Sequence, residues 1–382
     1  MNNNELEQIR KKALQAISPL RPAEKGKYFW GERTNAGRDL PPYYVVYFLL
    51  ADLLGFPTIG QQEKVAWSIV LELEGKTLVI EHRKMGLGIF VKDIKEDEAS
   101  AEEIVKRIMR GVRVSESYFD SLAEIAIQDS KLNLLNKSKP LLDRVQYFLA
   151  RYKEAKLEAE SKRAEPIFET LADGKQKTVH PSRFDLEREA DWLAVSAIEG
   201  FFSWTEHVFI HLALLKGTIT TGIETADLAE ANWPEKFKKA LDIGDASAKR
   251  FYDELIVIRK QVRNFVAHGA FGKQGEAFRF HSKAGAVPVL MPHNTKGTRF
   301  SMFEDMSFRE ETAIKLIEEF IEFLRTSHQA PAFKYVQESH LPTVLTYVSD
   351  GTYKEASSSI EKMDALIYSM QMRFDRAANM DW

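Results

Sequence analysis

The chain has 382 residues, of which 44% are hydrophobic and 29% are charged, with a formal net charge of −3 and no cysteine. This length exceeds one ordinary core, so we expect at least two domains of a folded protein. The lack of cysteine excludes disulfides and thiolate metal sites and agrees with a cytoplasmic location. No apolar run reaches the roughly 18 residues of a membrane helix, and the N-terminus does not resemble a secretory signal. A net-negative chain can bind RNA only through a locally basic site.

The N-terminal part of the chain alternates between helical and extended patterns, which is typical of a small α+β domain. Apolar residues recur with helical spacing at the N-terminus and again before Gly55. Residues 20–42, between these helices, are rich in glycine and proline and are predicted to form an extended loop. Alternation of apolar and polar residues then predicts a small antiparallel sheet. The predicted elements are helices over residues 1–18 and 43–54 and strands over residues 67–74, 77–81 and 87–91.

The extended loop combines basic and aromatic side chains, which allows two interpretations. Such a mixture can stack on the bases of a single nucleic-acid strand and neutralise its phosphates. It can also be an arm whose aromatic side chains pack on the domain, and this simpler interpretation is favoured. The residues concerned are Lys25, Lys27, Tyr28, Phe29, Trp30, Arg33 and Arg38.

A series of helices with increasing charge leads to the predicted boundary between two domains. The helices cover residues 101–110, 115–127 and 141–162. The last of them ends in many charges, as in an exposed helix or a strut between domains. Because residues 165–181 contain two prolines and Gly174, the boundary is placed near residue 182. We therefore expect an N-terminal α+β domain, residues 1–181, with a sensor or regulatory role, and a C-terminal domain, residues 182–382.

The C-terminal domain is predicted to be a helical bundle. Its first helix, residues 185–216, lacks proline and ends at Gly217. It is apolar on more than one side, as expected of a helix that packs on its own bundle and on a second subunit. A later helix begins after Asp245, a suitable N-cap. The remaining predicted elements are a helix over residues 234–241, an inserted hairpin with strands at 278–281 and 287–290 and a candidate third strand at 299–302, and helices over 308–327, 335–348 and 353–376.

Three lysines on the short helix of this domain concentrate positive charge. Lys236, Lys238 and Lys239 lie within four residues of one another. Such a cluster can guide RNA electrostatically. A solvated helix face is the default interpretation for charges spaced in this way.

Two groups of residues suggest metal ions, but neither completes a known pattern. Glu72, Glu74 and Glu81 lie on predicted strands, yet no Asp…Glu-x-Lys arrangement of a metal nuclease accompanies them. His207 and His211 are four residues apart on a helix and could bind zinc. They lack the glutamate of an HExxH motif and an obvious third ligand, so we interpret them as histidines of a helix surface or an interface. No metal and no other cofactor is predicted.

The segment from Arg263 to His268 places polar side chains away from the core-facing side of a helix predicted over residues 245–268. On a helical wheel, Asn264 and His268 lie one turn apart, almost opposite the apolar stripe. Lys260 and Gln261 flank them. Gly269 follows as a residue that can end the helix in a left-handed conformation. The apolar stripe consists of Leu255, Ile258, Val262, Phe265 and Val266.

The three polar residues of this segment suit phosphate chemistry. The guanidinium of Arg263 matches the geometry of phosphate oxygens. The imidazole of His268 can take a proton from a hydroxyl group or give one to a leaving group. The amide of Asn264 can hold a hydroxyl or a phosphate oxygen in place.

An Arg-Asn-x-x-x-His segment near the end of a helix, in a mainly helical domain, resembles the motif of the HEPN superfamily. The motif is carried by Arg263, Asn264 and His268, and the resemblance covers residues 184 to 330. It implies a helical bundle that forms a homodimer and brings two motifs together. The implied activity is metal-independent RNA cleavage, which leaves a 2′,3′-cyclic phosphate and a 5′-hydroxyl. Such domains occur in toxins, phage-defence proteins and CRISPR effector ribonucleases.

The sequence thus predicts a mainly α protein with a small α+β N-terminal part and a C-terminal HEPN-like bundle carrying an inserted β-hairpin. The predicted function is that of an endoribonuclease in phage defence or a toxin, activated by a ligand or phage component bound at the N-terminal domain. Lys260, Lys273 and Arg279 are candidate phosphate contacts, and Glu206 is a candidate supporting residue, as polar groups on the preceding helix often are in this family. The alternative is a non-catalytic HEPN-like module for dimerisation or nucleotide binding. A DNA-binding regulator is disfavoured, since no helix clusters arginine and lysine with base-reading partners.

Overall fold

The computed structural model describes residues 2–24, 26–163, 167–179, 181–262, 276–290 and 310–381. Within these ranges the chain is mainly helical and has a small sheet near its N-terminus, which confirms this part of the predicted fold. It divides into two compact units. The first comprises Met1–Asp129 with Tyr368–Trp382, and the second comprises Ser130–Ile367. No described stretch of helix has the length and hydropathy that a membrane span requires.

The first unit packs helices against a six-stranded antiparallel sheet. Its strands follow the order β1-β4-β5-β6-β2, and β3 also pairs with β4. The three long strands lie where alternation predicts them. The helices are α1 Asn3–Ile17, α2 Tyr43–Tyr47, which continues as a π-helical segment over Phe48–Leu53, α3 Ile94–Val114 and α4 Glu116–Gln128. The strands are β1 Arg21–Pro22, β2 Glu32–Arg33, β3 Thr58–Ile59, β4 Val65–Leu73, β5 Lys76–Arg83 and β6 Gly86–Val91.

Local sequence explains the two features that shape this unit. The β4–β5 hairpin turns at Glu74 and Gly75, one residue earlier than predicted, and both residues have positive φ, as a tight two-residue hairpin requires. Helices α1 and α3 approach closely at Gly111, where an added Cβ would lie 2.7 Å from Cγ2 of Ile17. The loop predicted over residues 20–42 supplies both β1 and β2, so two short segments of this arm join the sheet.

The second unit is a helical assembly with three small hairpins or strand pairs. Its elements are β7 Asn133–Leu134, α5 Ser138–Arg163, β8 Ile167–Thr170, β9 Gln176–Val179, α6 Pro181–Lys216, α7 Gly222–Glu230, α8 Trp233–Ala240, α9 Ala246–Gln261, β10 Glu276–Ser282, β11 Gly285–Leu290, α10 Glu310–Thr326, α11 Ala330–Glu338, β12 Thr343–Val344, α12 Leu345–Ser349 and α13 Thr352–Ala356. The last helix, α14 Ile360–Asn379, has residues in both units.

Helix α6 is the central element of the second unit and contacts α5, α8, α10 and α11. Its aromatic side chains Phe201, Trp204 and Phe209 are fully buried. The indole nitrogen of Trp204 donates to Oε1 of Gln337 at 3.0 Å, so this buried polar group is satisfied. The prediction that this helix is apolar on more than one side is confirmed.

The compact units divide at residue 129/130, whereas the sequence pattern suggested a boundary near residue 182. Helix α5 belongs to the second unit because it packs along α6. The segment interpreted as a linker, residues 165–181, instead contains the β8–β9 hairpin, in which Gly174 takes a left-handed conformation at the turn.

Two helices predicted near the C-terminus are interrupted. Pro342 cannot continue the helix predicted over residues 335–348, which ends at Glu338 and resumes after β12. Residues 357–359 are three serines, whose hydroxyls compete for backbone groups, and they separate α13 from α14. The sequence pattern also missed α7, which starts with a capping box between Thr221 and Glu224.

Candidate functional site

The segment with the strongest chemical pattern follows directly on α9. Arg263, Asn264, His268 and Lys273 lie outside the described residues, and so does the strand predicted at residues 299–302. The structure does describe the helix that leads into the motif and the elements packed against that helix. The candidate site is therefore built from α6, α8 and α9.

Helix α9 begins as predicted and presents the predicted core face. Oδ1 of its N-cap, Asp245, accepts a hydrogen bond from the backbone N–H of Ala248 at 2.8 Å. Leu255, Ile258 and Val262 are buried with relative exposures of 0%, 7% and 3%. This confirms the described part of the apolar stripe. Lys260 is exposed, as a residue that contacts a substrate phosphate must be.

Glu206 of α6 joins three helices through two ion pairs. Its Oε2 lies 3.1 Å from Nζ of Lys236 on α8, and its Oε1 lies 3.1 Å from a terminal nitrogen of Arg259 on α9. Each carboxylate oxygen thus has its own cationic partner. Glu206, predicted from the sequence as a supporting residue, is therefore in contact with α9, which ends two residues before Arg263.

Burial differs sharply across this ion-pair cluster of Glu206, Lys236 and Arg259. Lys236 is only 5% exposed, so its ammonium group depends on the carboxylate of Glu206. The side chains of Glu206 and Arg259 are 33% and 34% exposed. Two cations share one carboxylate, and one of the cations faces solvent. The partly exposed guanidinium of Arg259 is therefore a positively charged group that an anion can reach.

The three lysines predicted to form a solvated helix face lie in different environments in the structure. Lys236 is buried and paired, so that interpretation is wrong for this residue, because α8 turns it towards α6. Lys238 and Lys239 are exposed. Nζ of Lys238 lies 5.2 Å from the ring centroid of Tyr252, a cation–π distance.

Arg259 is a candidate site residue that the sequence pattern did not single out. It lies four residues before Arg263, so on a continuous helix the two would occupy the same face. This four-residue spacing from Arg263 is the sequence feature that could have pointed to Arg259. The pairing with Glu206 depends on how α6 and α9 pack and could not be read from the spacing alone.

His207 and His211 form a hydrogen-bonded pair that ties α6 to two neighbouring segments. Nε2 of His207 accepts a hydrogen bond from the Lys137 amide at 2.9 Å and lies 3.1 Å from Nε2 of His211. Nδ1 of His211 lies 2.7 Å from Oγ1 of Thr343. Because His211 is fully buried, its interpretation as a surface or interface histidine is wrong.

Burial also sets the protonation of this pair. It lowers the pKa of His211 to about 3, with a further contribution from the neighbouring His207, and it lowers the pKa of His207. Both rings are therefore neutral near pH 7. Among the described residues, no group of three or more histidine, aspartate or glutamate side chains is arranged to hold a metal ion.

The carboxylates of the N-terminal sheet are engaged in internal contacts. Glu72 pairs with Arg21 and with Nζ of Lys27, which is 3.1 Å away. Glu81 is fully buried and pairs with Nε of Arg83 at 2.6 Å. These pairs give both carboxylates a role in fixing the arm and the sheet.

The hairpin predicted after the motif is present. Strands β10 and β11 pair in antiparallel fashion and turn at Gly285, which has a φ of 105°. Arg279, a predicted phosphate contact, lies on β10 opposite Pro288 of β11. The structure thus confirms the strand that carries Arg279.

No protein-family model, curated protein or solved structure matches this chain.

Proposed function

We propose that this chain is a metal-independent endoribonuclease of the HEPN type that acts as a homodimer in the cytoplasm, in phage defence or as a toxin. The observation that carries the proposal is the contact between Glu206 and Arg259. It fixes a carboxylate of the long helix α6 against the end of α9, directly before the Arg263–His268 segment. A polar support on the preceding helix is what the resemblance implies for an active motif.

The proposed reaction is a transesterification within the RNA backbone. His268 takes the proton of a ribose 2′-hydroxyl, and the 2′-oxygen attacks the adjacent phosphorus. The bond from phosphorus to the 5′-oxygen breaks, and His268 of the second copy protonates the departing oxygen. The products are a 2′,3′-cyclic phosphate and a 5′-hydroxyl.

The other motif residues act on the charge and position of the phosphate. Arg263 stabilises the negative charge that develops on the phosphorane oxygens. Asn264 orients the phosphate or the imidazole of His268. Lys260, Lys273 and Arg279 contact neighbouring phosphates of the RNA, which gives a net-negative chain the local positive charge it needs.

A homodimer is part of this proposal because one motif supplies a single histidine. General acid and general base must act on opposite sides of the same phosphate. Two copies related by a two-fold axis would supply both groups in one cleft. In the same scheme, the first unit binds a ligand or phage component that activates cleavage.

Cleavage of cellular RNA in the presence of EDTA tests the proposal. Wild-type protein is expected to cut, and His268→Ala to lose at least about 100-fold in rate, since it lacks the general acid and base. His328→Ala is the matched control because His328 is an exposed histidine of the same unit, and it should cut as wild type does. Fragment ends should carry cyclic phosphate.

The same experiment separates this function from its alternative. Equal cutting by wild type and His268→Ala, or cutting only with added divalent cations, would contradict the proposal. A His268→Ala protein that melts at a much lower temperature and no longer dimerises would instead favour a non-catalytic dimerisation or nucleotide-binding module.

A further inference from the structure

A basic and aromatic pocket lies in the first unit, outside the proposed ribonuclease motif. It has a volume of about 440 Å³, which falls in the range of about 300–1,000 Å³ typical of small-molecule sites. The arm supplies one side, and the β5–β6 turn with its flanking strands supplies the other. Its principal lining residues are Trp30, Arg33, Lys64, Arg83, Lys84 and Phe90.

Arg83 is held rigidly in the wall of this pocket. Its guanidinium carbon lies 3.6 Å from the ring centroid of Phe90 and 5.3 Å from that of Trp30. Its Nε donates to Oε2 of the buried Glu81 at 2.6 Å, and Glu81 in turn accepts from the Tyr28 hydroxyl at 2.9 Å. One terminal nitrogen of Arg83 is buried and has no hydrogen-bond partner within the described part of the chain. A guanidinium held in the wall of a cavity supplies a fixed positive charge that attracts an anionic ligand.

Two further cations of the pocket are held by neutral groups. Arg33 donates to the carbonyl oxygens of Leu87 at 2.5 Å and Met85 at 3.5 Å. Its side chain can lie along β6 because residue 88 is glycine, where a Cβ would be 2.7 Å from Nε of Arg33. Nζ of Lys84 donates to the side-chain oxygen of Asn379 at 2.8 Å. These carbonyl and amide oxygens are neutral, so they do not offset the positive charges of Arg33 and Lys84.

Lys64 and Arg83, the other two cations of the pocket, are each paired with a carboxylate. Nζ of Lys64 contacts Asp381, and Arg83 contacts Glu81. The pocket therefore keeps an excess of positive charge, even though the lining also includes Glu63. Excess positive charge in a concave site attracts anions of small size.

An exposed tryptophan stands at the rim of the same pocket. Trp30 is 65% exposed although its ring borders Arg83, and Met85 beside it is 83% exposed. The ring of Trp30 meets that of Tyr28 edge to face at 5.8 Å, which fixes its orientation. An oriented and exposed indole next to arginine offers a surface on which a nucleobase can stack.

We propose that this pocket binds a nucleoside phosphate, with the base stacked on Trp30 and the phosphate held by Arg83 and Lys84. A free nucleotide is favoured over a nucleic-acid strand because Arg33, Arg83 and Lys84 line a single concave pocket. A strand requires a basic groove that follows several phosphates, and the chain as a whole has a net charge of −3. This site is separate from the proposed catalytic motif, since all its residues belong to the first unit.

Binding of nucleotides to the full-length protein tests the proposal. The probes are AMP, GMP, CMP, UMP and ATP, with adenosine and inorganic phosphate as partial ligands, measured by calorimetry and tryptophan fluorescence. At least one nucleotide should bind saturably and quench fluorescence, and the matching nucleoside should bind at least about tenfold more weakly, because it lacks the phosphate.

The test variants are Trp30→Ala and Lys84→Ala, both at exposed positions where the fold does not depend on the side chain. Each should weaken nucleotide binding by about tenfold or more. The matched controls are Trp192→Ala, where the tryptophan is 64% exposed in the second unit, and Lys12→Ala on α1. Both controls should bind as wild type does.

Three results would overturn the proposal. They are the absence of saturable binding by every nucleotide, unchanged binding in Trp30→Ala and Lys84→Ala, and binding of the matching nucleoside as tight as that of its nucleotide. A short single-stranded oligonucleotide that binds far more tightly through the same two residues would identify a strand site instead.

Discussion

Glu206 shows how one side chain can connect the fold of the second unit to the proposed chemistry. Lys236, its partner on α8, is almost completely buried, and a buried ammonium requires a nearby anion. Arg259, its partner on α9, is partly exposed and lies just before the motif. The same carboxylate thus stabilises the interior of the bundle and orients a cation at the end of α9.

Replacing Glu206 by glutamine should lower the free energy of unfolding by about 1–2 kcal/mol. The loss is smaller than for a fully buried pair because the side chains of Glu206 and Arg259 are each about one third exposed. Glu199→Gln, an exposed position seven residues earlier on α6, is the matched control and should be nearly neutral. Urea unfolding followed by circular dichroism measures both. Equal effects of the two substitutions would mean that the ion-pair cluster does not stabilise the bundle.

At the scale of elements, the histidine pair joins α6 to β12 and to the segment that precedes α5. The hydrogen bonds of His211 to Thr343 and His207, and of His207 to the Lys137 amide, replace the water that these groups lose on burial. Both rings must stay neutral to keep this arrangement. The connection is therefore sensitive to acid.

Acid should destabilise the wild-type protein more than a His211→Asn variant. The pKa of His211 in the folded state, about 3, lies below the ordinary value of 6.5. Its contribution to stability is thus fully present above pH 6.5 and is lost as the pH falls from 6.5 towards 3. Between pH 7 and pH 5, the wild-type free energy of unfolding should fall by about 2 kcal/mol more than that of the variant.

Asparagine is the informative replacement because its side-chain oxygen can still accept from Thr343, although it does not titrate. Chemical unfolding at pH 7, 6 and 5 gives the pH dependence of the free energy of unfolding for the wild type and for His211→Asn. Parallel curves for the two proteins would show that His211 is not the group that carries this acid sensitivity.

The elements that sequence patterns predicted are those whose signals are local. The β4–β5–β6 meander, the Asp245 N-cap and the β10–β11 hairpin depend on alternation, capping and turn residues, and all are present. Some local signals were nevertheless missed, namely the capping box that starts α7 and Pro342 within a predicted helix. Other differences concern contacts between distant segments. The burial of Lys236 and the inclusion of α5 in the second unit are set by packing on α6, which no local pattern encodes.

The residues of the candidate site likewise comprise some that a local sequence pattern reveals and others whose role depends on packing. The Arg263–His268 motif can be recognised because residue type and spacing carry its chemistry. The roles of Glu206 and Arg259 follow from a contact between helices 53 residues apart in sequence. The basic pocket at Trp30 could not be assembled from the sequence, since the basic and aromatic residues of the arm meet Arg83 of β5, Lys84 of the β5–β6 turn and Phe90 of β6 only in the folded chain.

For the molecule as a whole, the proposed acid–base chemistry requires two copies of the chain to form one active site. Each copy would contribute His268 to a shared cleft, so a dimer with one defective copy would lack either the acid or the base. Mixing wild-type and His268→Ala chains therefore separates a shared site from two independent ones. The chains must be co-expressed or unfolded and refolded together so that dimers form at random.

The measurement that tests this central claim most directly is the rate of RNA cleavage as a function of the fraction of wild-type chains in such mixtures. A shared site predicts that the rate falls with the square of that fraction, to about one quarter of the wild-type rate in an equal mixture. A linear fall, to about one half, would contradict the shared site and would show that each chain cleaves RNA without the other's histidine.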